Sequence, residues 1–276
     1  MGVFSDPATL LALLGALALA GALIGFLAGL FGIGGGAISV PVFFEIFRLL
    51  GHAPEVAMPM AVGTSLAVII PTSINSSRGH FLRGTVDMEL LRLWAAPVVL
   101  GVLAGSVIAR YAEPAVFQLV FIAVASVNAA KLLLGGAGWR LRDSLPARWV
   151  LRLYGTVIGL VSALMGIGGG AVSTLVLTLH NVPIHRAVST SAGVGVLIAL
   201  PGTIGYMAAG WGRPDLPPDA IGFVSWATFL LTIPTSLLTT RLGVRAAHAL
   251  SRRHLETAFG LFLVLVCLRF LWALFD

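Results

Sequence analysis

Two places in this sequence put unpaired backbone donors where a ligand could use them. The phrase Gly32-Ile33-Gly34-Gly35-Gly36-Ala37 recurs as Gly166-Ile167-Gly168-Gly169-Gly170-Ala171. Three consecutive glycines give a helix no side-chain support, so each phrase predicts a break followed by a new helix start. A helix start leaves its first N–H groups without intrahelical partners and carries the positive end of the helix dipole. The chemistry expected is capture of a small anion by backbone N–H groups, with no charged side chain required. The residues placed to do it are Gly34, Gly35, Gly36 and Ala37 in the first copy, and Gly168, Gly169, Gly170 and Ala171 in the second.

Hydroxyls stand at matched places around both phrases. Ser39 and Ser173 follow the last glycine of each copy by three residues. Downstream, Ala61-Val62-Gly63-Thr64-Ser65 recurs as Ala187-Val188-Ser189-Thr190-Ser191, and prolines follow at Pro71 and Pro201. Thr64, Ser65, Thr190, Ser191, Ser39 and Ser173 can all donate to an oxyanion, or equally bond to their own helix backbone. Asn75 ends the third apolar segment, before the basic stretch Arg78–Arg83, and is a candidate to recognise part of the ligand. Shared landmarks in one order make the chain an internal duplication.

The elements that must position these groups are membrane helices. The chain has 276 residues, 58% of them hydrophobic and 10% charged, with mean hydropathy +1.00. Soluble domains carry about 25% charged residues, so this chain has too few charges to cover a globule. Apolar runs fall at Thr9–Phe31, Ala37–Leu50, Met58–Ile74, Leu90–Ile108 and Pro114–Leu134. A second set falls at Trp149–Met165, Ala171–His180, Ala187–Ala209, Ile221–Leu238 and Leu255–Phe275. The second run of each set is too short to cross a bilayer as a regular helix. The fold class expected is an all-α polytopic integral membrane protein. It has eight to ten transmembrane segments in two homologous, inverted repeats with glycine-broken short helices. Residues 1–138 form the first repeat, 139–148 a cytoplasmic linker and 149–276 the second repeat. The first run is too long for a signal peptide and is expected to remain as a span.

Charge sets the orientation. Of the 17 basic residues, ten crossings leave only Arg48, Arg110, Arg213 and Arg269 on one side, and 13 on the other. Eight crossings split them 10 against 7. The positive-inside rule favours ten, which places both termini outside. Five crossings per repeat is an odd number, so the second repeat runs inverted to the first.

Other chemistry is excluded or open. Glu45 is an acidic residue well inside an apolar run, with Arg48 three residues on. It is a candidate for proton coupling or half of an ion pair. The phrase also fits a dinucleotide pattern, but no soluble strand–turn–helix unit surrounds it. The single cysteine, Cys267, and the scattered histidines give no metal site. No nucleophile–base pattern appears, so neither an enzyme nor a cofactor is expected. The net charge of +6 lies in loops, with no basic, aromatic-lined stripe for nucleic acid.

The matched blocks Gly29–Ser39 with Ala61–Ser65, and Ala163–Ser173 with Ala187–Ser191, resemble the TauE/SafE family, the sulfite exporter or 4-toluene sulfonate uptake permease family. His80 followed by Gly84 is similar as well. The resemblance runs from about Leu10 to Leu274. It implies a secondary permease of the bacterial inner membrane, carrying sulfite, sulfoacetate or related organosulfonates, and usually described with eight spans. Partners expected are a small anionic substrate, the lipid bilayer and a coupling proton or ion. Direction of transport and oligomeric state, a homodimer being one option, stay open. So do two alternatives, an anion channel and a permease for a non-sulfur organic anion. In the ten-crossing arrangement, tags on both termini are accessible to a membrane-impermeant reagent on intact cells. Protection of either terminus rejects that arrangement.

Overall fold

The computed structural model describes residues 7–31, 35–134 and 141–275. Ten helices run through them: α1 (Pro7–Phe31), α2 (Gly36–Leu49), α3 (Pro54–Leu82), α4 (Met88–Tyr111), α5 (Pro114–Leu134), α6 (Arg148–Met165), α7 (Gly170–Leu179), α8 (Ile184–Ala209), α9 (Trp226–Ala249) and α10 (Arg252–Ala273). Six of them, α3, α4, α5, α6, α8 and α10, are long and apolar enough to cross a membrane by length and composition. Large apolar side chains stay exposed on the outer faces, among them Leu19 and Leu23 on α1, Leu100 and Leu103 on α4, and Leu265 and Leu268 on α10. Such surface is stable against lipid and not against water. The chain is an all-α polytopic membrane protein.

Each apolar run contains a helix, with two corrections. Ile221–Leu238 is not helical from its start. Ala220–Ile221 and Val224–Ser225 pair as a short antiparallel hairpin, with Phe223 and Val224 fully buried. Helix α9 starts at Trp226 and continues past the apolar run to Ala249. Likewise α3 carries on through Pro71 to Leu82, so Asn75, Arg78 and His80 stand on a helix rather than in a loop. An apolar run marks only the part of a helix inside hydrocarbon, and polar ends project beyond it. With 29 residues, α3 is about 43 Å long.

Packing follows small residues. On α1, Gly21, Gly25 and Gly29 lie in order against Thr232, Ser236 and Thr240 of α9, so the two helices run parallel in close contact. Gly101 and Gly105 of α4 meet Thr156 and Leu160 of α6 in the same sense, and Trp94 Nε1 donates to the Leu151 carbonyl at 2.7 Å. Small residues let backbones approach where no hydrophobic force drives membrane helices together. Helices α3 and α8 run antiparallel: Gly63 lies beside Tyr206, Gly202 beside Leu66 and Gly195 beside Ser73. Helices α5 and α10 also run antiparallel, with Phe121 stacked edge-on against Phe270 at 5.0 Å and Ser126 Oγ donating to Cys267 Sγ at 3.7 Å. Exchanging α1–α5 for α6–α10 maps each of these pairs onto another pair or onto itself.

The charged groups near helix ends take partners that sequence spacing did not suggest. Glu45 pairs with Arg269 of α10 at 3.0 Å, while Arg48 donates to the His52 carbonyl. Three residues along a helix brought Glu45 and Arg48 to one side, but α10 supplies the nearer guanidinium. Lys131 donates to Thr178 Oγ1 on α7. Asn128 bonds the Val124 carbonyl of its own helix at 3.0 Å.

A Cβ at Gly159 would fall inside contact distance of the Val98 carbonyl oxygen. Gly159→Leu is therefore expected to lower unfolding free energy by about 2–3 kcal/mol, read as a lower thermal midpoint in detergent. Gly15→Leu, where nothing lies within 4 Å of the added Cβ, should leave the midpoint near the parental value.

Candidate functional site

Helix α6 stops where its chain reverses hand. Gly166 adopts φ 64, and its N–H bonds the Ser162 carbonyl; the Ile167 N–H reaches the same oxygen at 3.1 Å. This closing pattern satisfies a terminal carbonyl and ends the helix. Three residues on, Gly169 at φ 70 is the N-cap of α7. In the first half Gly35, at φ 81, is the N-cap of α2. Residues with a Cβ rarely tolerate that conformation, so the glycines at these matched caps are required by geometry. Gly34 lies outside the described residues.

The two helix starts carry free donors. Ile38 and Ser39 N–H both bond the Gly35 carbonyl, at 3.0 and 2.9 Å, and Ser173 N–H bonds the Gly169 carbonyl at 2.8 Å. Among the described residues, the N–H groups of Gly36, Ala37, Gly170 and Ala171 have no protein acceptor. The breaks also meet each other. A Cβ built on Gly36 would lie 2.8 Å from Ile167 Cα and 2.9 Å from the Gly166 carbonyl oxygen. Gly35, Gly36 and Ala37 are buried, whereas Gly168, Gly170 and Ala171 are partly open. The space beside the glycines is narrow, and the side chain of Ile69 on α3 occupies it. Its Cδ1 would sit 2.8 Å from a Cβ on Gly36, and its Cγ2 2.7 Å from one on Gly168.

The hydroxyls hold this junction together. Ser65 Oγ donates to the Gly166 carbonyl at 2.8 Å. A carbonyl only accepts, so the 2.6 Å bond between Ser39 and Ser65 uses the Ser39 proton. A chain of two hydroxyls thus ties the first half's α2 and α3 to the second half's break. Tyr206 Oη adds a bond of 2.9 Å to the Ala163 carbonyl, another acceptor freed by the end of α6. In the second half Ser173 Oγ donates back to the Gly169 carbonyl. Thr174 Oγ1 donates to Ser191 Oγ at 2.9 Å, and the Ser191 proton has no acceptor among the described residues.

The two threonines serve helix starts in the opposite half. Thr64 Oγ1 accepts from Ser225 N–H, just before α9. Thr190 Oγ1 accepts from Asp87 N–H, just before α4. Both bonds are 3.0 Å. Asp87 pairs with Arg186 at 2.8 Å, and with Thr190 and His180 it lines a pocket of about 190 Å³ at the arginine-rich end. Asn75 is exposed on α3, six residues beyond Ile69. Glu45 lies on α2, ten residues past its N-cap, in its ion pair with Arg269.

Three residues of this junction escaped the sequence reading: Tyr206, Ser162 and Ile69. Ser162 Oγ is fully buried and has no hydrogen-bond partner among the described residues; it lies 3.5 Å from the position of a Cβ on Gly169. The available signal was a mismatch between the copies, since the residue matching Ser162 four places before the first glycine is Ala28.

The junction depends on side chains that fill backbone acceptors. Ser65→Ala and Tyr206→Phe each leave a buried carbonyl unpaired and are expected to cost about 1–3 kcal/mol, measured as loss of unfolding free energy in detergent. Thr72→Val, on a hydroxyl that bonds only its own helix, should cost less than either.

The chain is 31% identical over 254 residues to a probable membrane transporter protein of Haemophilus influenzae, covering 91% of this chain and 95% of that one. It is 29% identical over 269 residues to a probable membrane transporter protein of Methanocaldococcus jannaschii, covering 92% and 97%. A further probable membrane transporter protein, from Bacillus subtilis, is 21% identical over 89% of this chain and 93% of its own length. No solved structure matches the chain. The sulfite exporter TauE/SafE family matches residues 17–270. The chain belongs to that family and is a membrane transporter, not an enzyme.

Proposed function

We propose that this transporter is a secondary permease for small sulfur-containing anions, sulfite, sulfoacetate or related organosulfonates, working by alternating access. The observation that carries the reading is the meeting of two glycine-capped helix starts whose first N–H groups have no acceptor among the described residues. Backbone left unsatisfied at that depth costs several kcal/mol per group unless it lines a cavity or contacts other protein. An anion supplies the missing acceptors, and paired half-helices of this kind hold substrates in repeat-built transporters.

Gly35, Gly36, Ala37, Gly170 and Ala171 then present N–H groups to the anion, while Gly169, whose N–H bonds the Ile167 carbonyl at 2.7 Å, caps the second helix start, and Gly34 and Gly168 keep the backbone free of side chains there. Ser191 adds a donor. Ser39, Ser65, Ser173, Thr64 and Thr190 hold the frame, and can reach the ligand only by exchanging their present bonds. Asn75 meets the ligand on its way in or out. Glu45 is the coupling candidate, taking up a proton when its pairing with Arg269 breaks and releasing it when the pair re-forms.

The two halves, 1–138 and 149–276 with the linker 139–148 between them, are read as inverted repeats. Support comes from the antiparallel packing of the matched helices α3 with α8 and α5 with α10. A two-fold axis relating antiparallel neighbours lies across the helices, hence within the membrane plane. The placement in a bacterial inner membrane, with the arginine-rich loops inside, rests on charge counting and on the bacterial relatives.

Gly35→Leu and Gly169→Leu are each expected to abolish transport in reconstituted liposomes, with folding checked by size exclusion. Parental rates in both would reject this site. Counterflow tests the mechanism: preloaded unlabelled sulfite should speed entry and transiently concentrate labelled sulfite. A pore gives no such effect.

A further inference from the structure

The duplication is not faithful at the junction, and its departures are of opposite kinds. Four residues after the serine of each A-V-x-T-S block stand Ile69 in the first half and Gly195 in the second. Four residues before each glycine phrase stand Ala28 and Ser162. These four residues face the same two breaks. A Cβ on Gly35 would lie 3.3 Å from Ala28 Cβ, and one on Gly169 3.5 Å from Ser162 Oγ. Ile69 fits between Gly36 and Gly168, while Gly195 lets α8 come close to the Gly168 carbonyl, which a Cβ added there would approach to 3.1 Å.

Ser162 carries the argument. A serine in the last turn of a membrane helix ordinarily donates to a carbonyl three or four residues back. Ser73, Ser77, Ser106 and Ser173 do so here. Ser162 does not, although it is fully buried. An unpaired hydroxyl buried in apolar surroundings is costly and calls for the partner it lacks. At the second break, beside the unengaged N–H groups of Gly170 and Ala171, that partner is an acceptor atom. The first break offers Ala28 instead, and is more deeply buried.

Resting on the permease reading above, we infer that the site is polarised. The charged group of the anion docks at the second break, on Gly170 and Ala171 N–H and Ser162 Oγ–H, and its uncharged remainder lies against Ile69. The anion held best has one charged oxygen-bearing head and a short apolar body, and a bare oxyanion such as sulfite, which lacks the body, is held less tightly. Ser162 is a head-group residue. Ile69 limits the length of the body.

The two residues make separable predictions on purified full-length protein, tested by titration with methane-, ethane-, propane- and butanesulfonate and the matching alkanecarboxylates. Ser162→Ala should weaken every member of the series by a similar factor, about tenfold, because a hydrogen bond to a charged group is lost. It should not lower the thermal midpoint without ligand, since the hydroxyl has no partner to lose. Ile69→Ala should move the preferred length up by at least one methylene, about tenfold in affinity per carbon accommodated. Ile69→Val, which removes a single methyl, gives the smaller shift in the same direction if the alanine variant folds poorly.

A lower midpoint in Ser162→Ala with parental affinities overturns the head-group assignment. Uniform weakening by both Ile69 variants, with the length preference unchanged, overturns the tail assignment. Either result leaves the permease reading intact as long as Gly169→Leu abolishes binding. If Gly169→Leu binds as the parent does, the permease site itself is wrong. A length preference seen with carboxylates alone supports the polarised site and rejects sulfur.

Discussion

A polar backbone group inside a bilayer must find a partner within the protein or in a cavity. Every feature of the central junction answers to that constraint. The chain breaks α6 with Gly166 and restarts at Gly170, which frees carbonyls on one side and N–H groups on the other. The freed carbonyls find hydroxyl partners: Ser65 takes Gly166, and Tyr206 takes Ala163. Among the described residues, the first N–H groups of the new helices do not, and they are left where the two halves of the molecule touch. Satisfied acceptors hold the junction shut around unsatisfied donors.

The frame around the junction is built from exchanges between halves. Thr64 supports the start of α9, and Thr190 supports the start of α4. Ser65 reaches from α3 to the second break. Backbone contact through glycine brings α1 onto α9 and α4 onto α6, so neither half packs as a unit of its own. The wedge of Ile69 between the breaks adds a steric element that only one half possesses. Under the proposed alternating access, movement at this junction must break hydroxyl bonds that cross between halves, so those bonds set which arrangement of the two halves is stable.

Much of the fold was legible because lipid imposes a simple rule on sequence. A run of apolar residues near the bilayer's thickness has one stable answer, and each of the ten runs contains a helix. Glycine triplets within such a run pointed to a break because they give a helix no side-chain support, and their recurrence at matched places strengthened that reading. Boundaries were less legible. Helix α3 passes Pro71 and Asn75 because helix geometry persists beyond the hydrocarbon, where hydropathy falls silent. The Ala220–Ser225 hairpin was invisible because its buried Phe223 and Val224 read as the start of a span.

The membrane setting, the duplication and the two matched breaks are written in composition and local backbone preference, and could be read along the chain. Partners came only with the assembled bundle. Glu45 met Arg269 rather than Arg48, and Thr64 and Thr190 turned to helix starts in the opposite half. Ser162 has no hydrogen-bond partner among the described residues. Hydroxyls and charges bind whatever lies within about 3 Å, and in a bundle that neighbour comes from helices far along the chain, which no local spacing records.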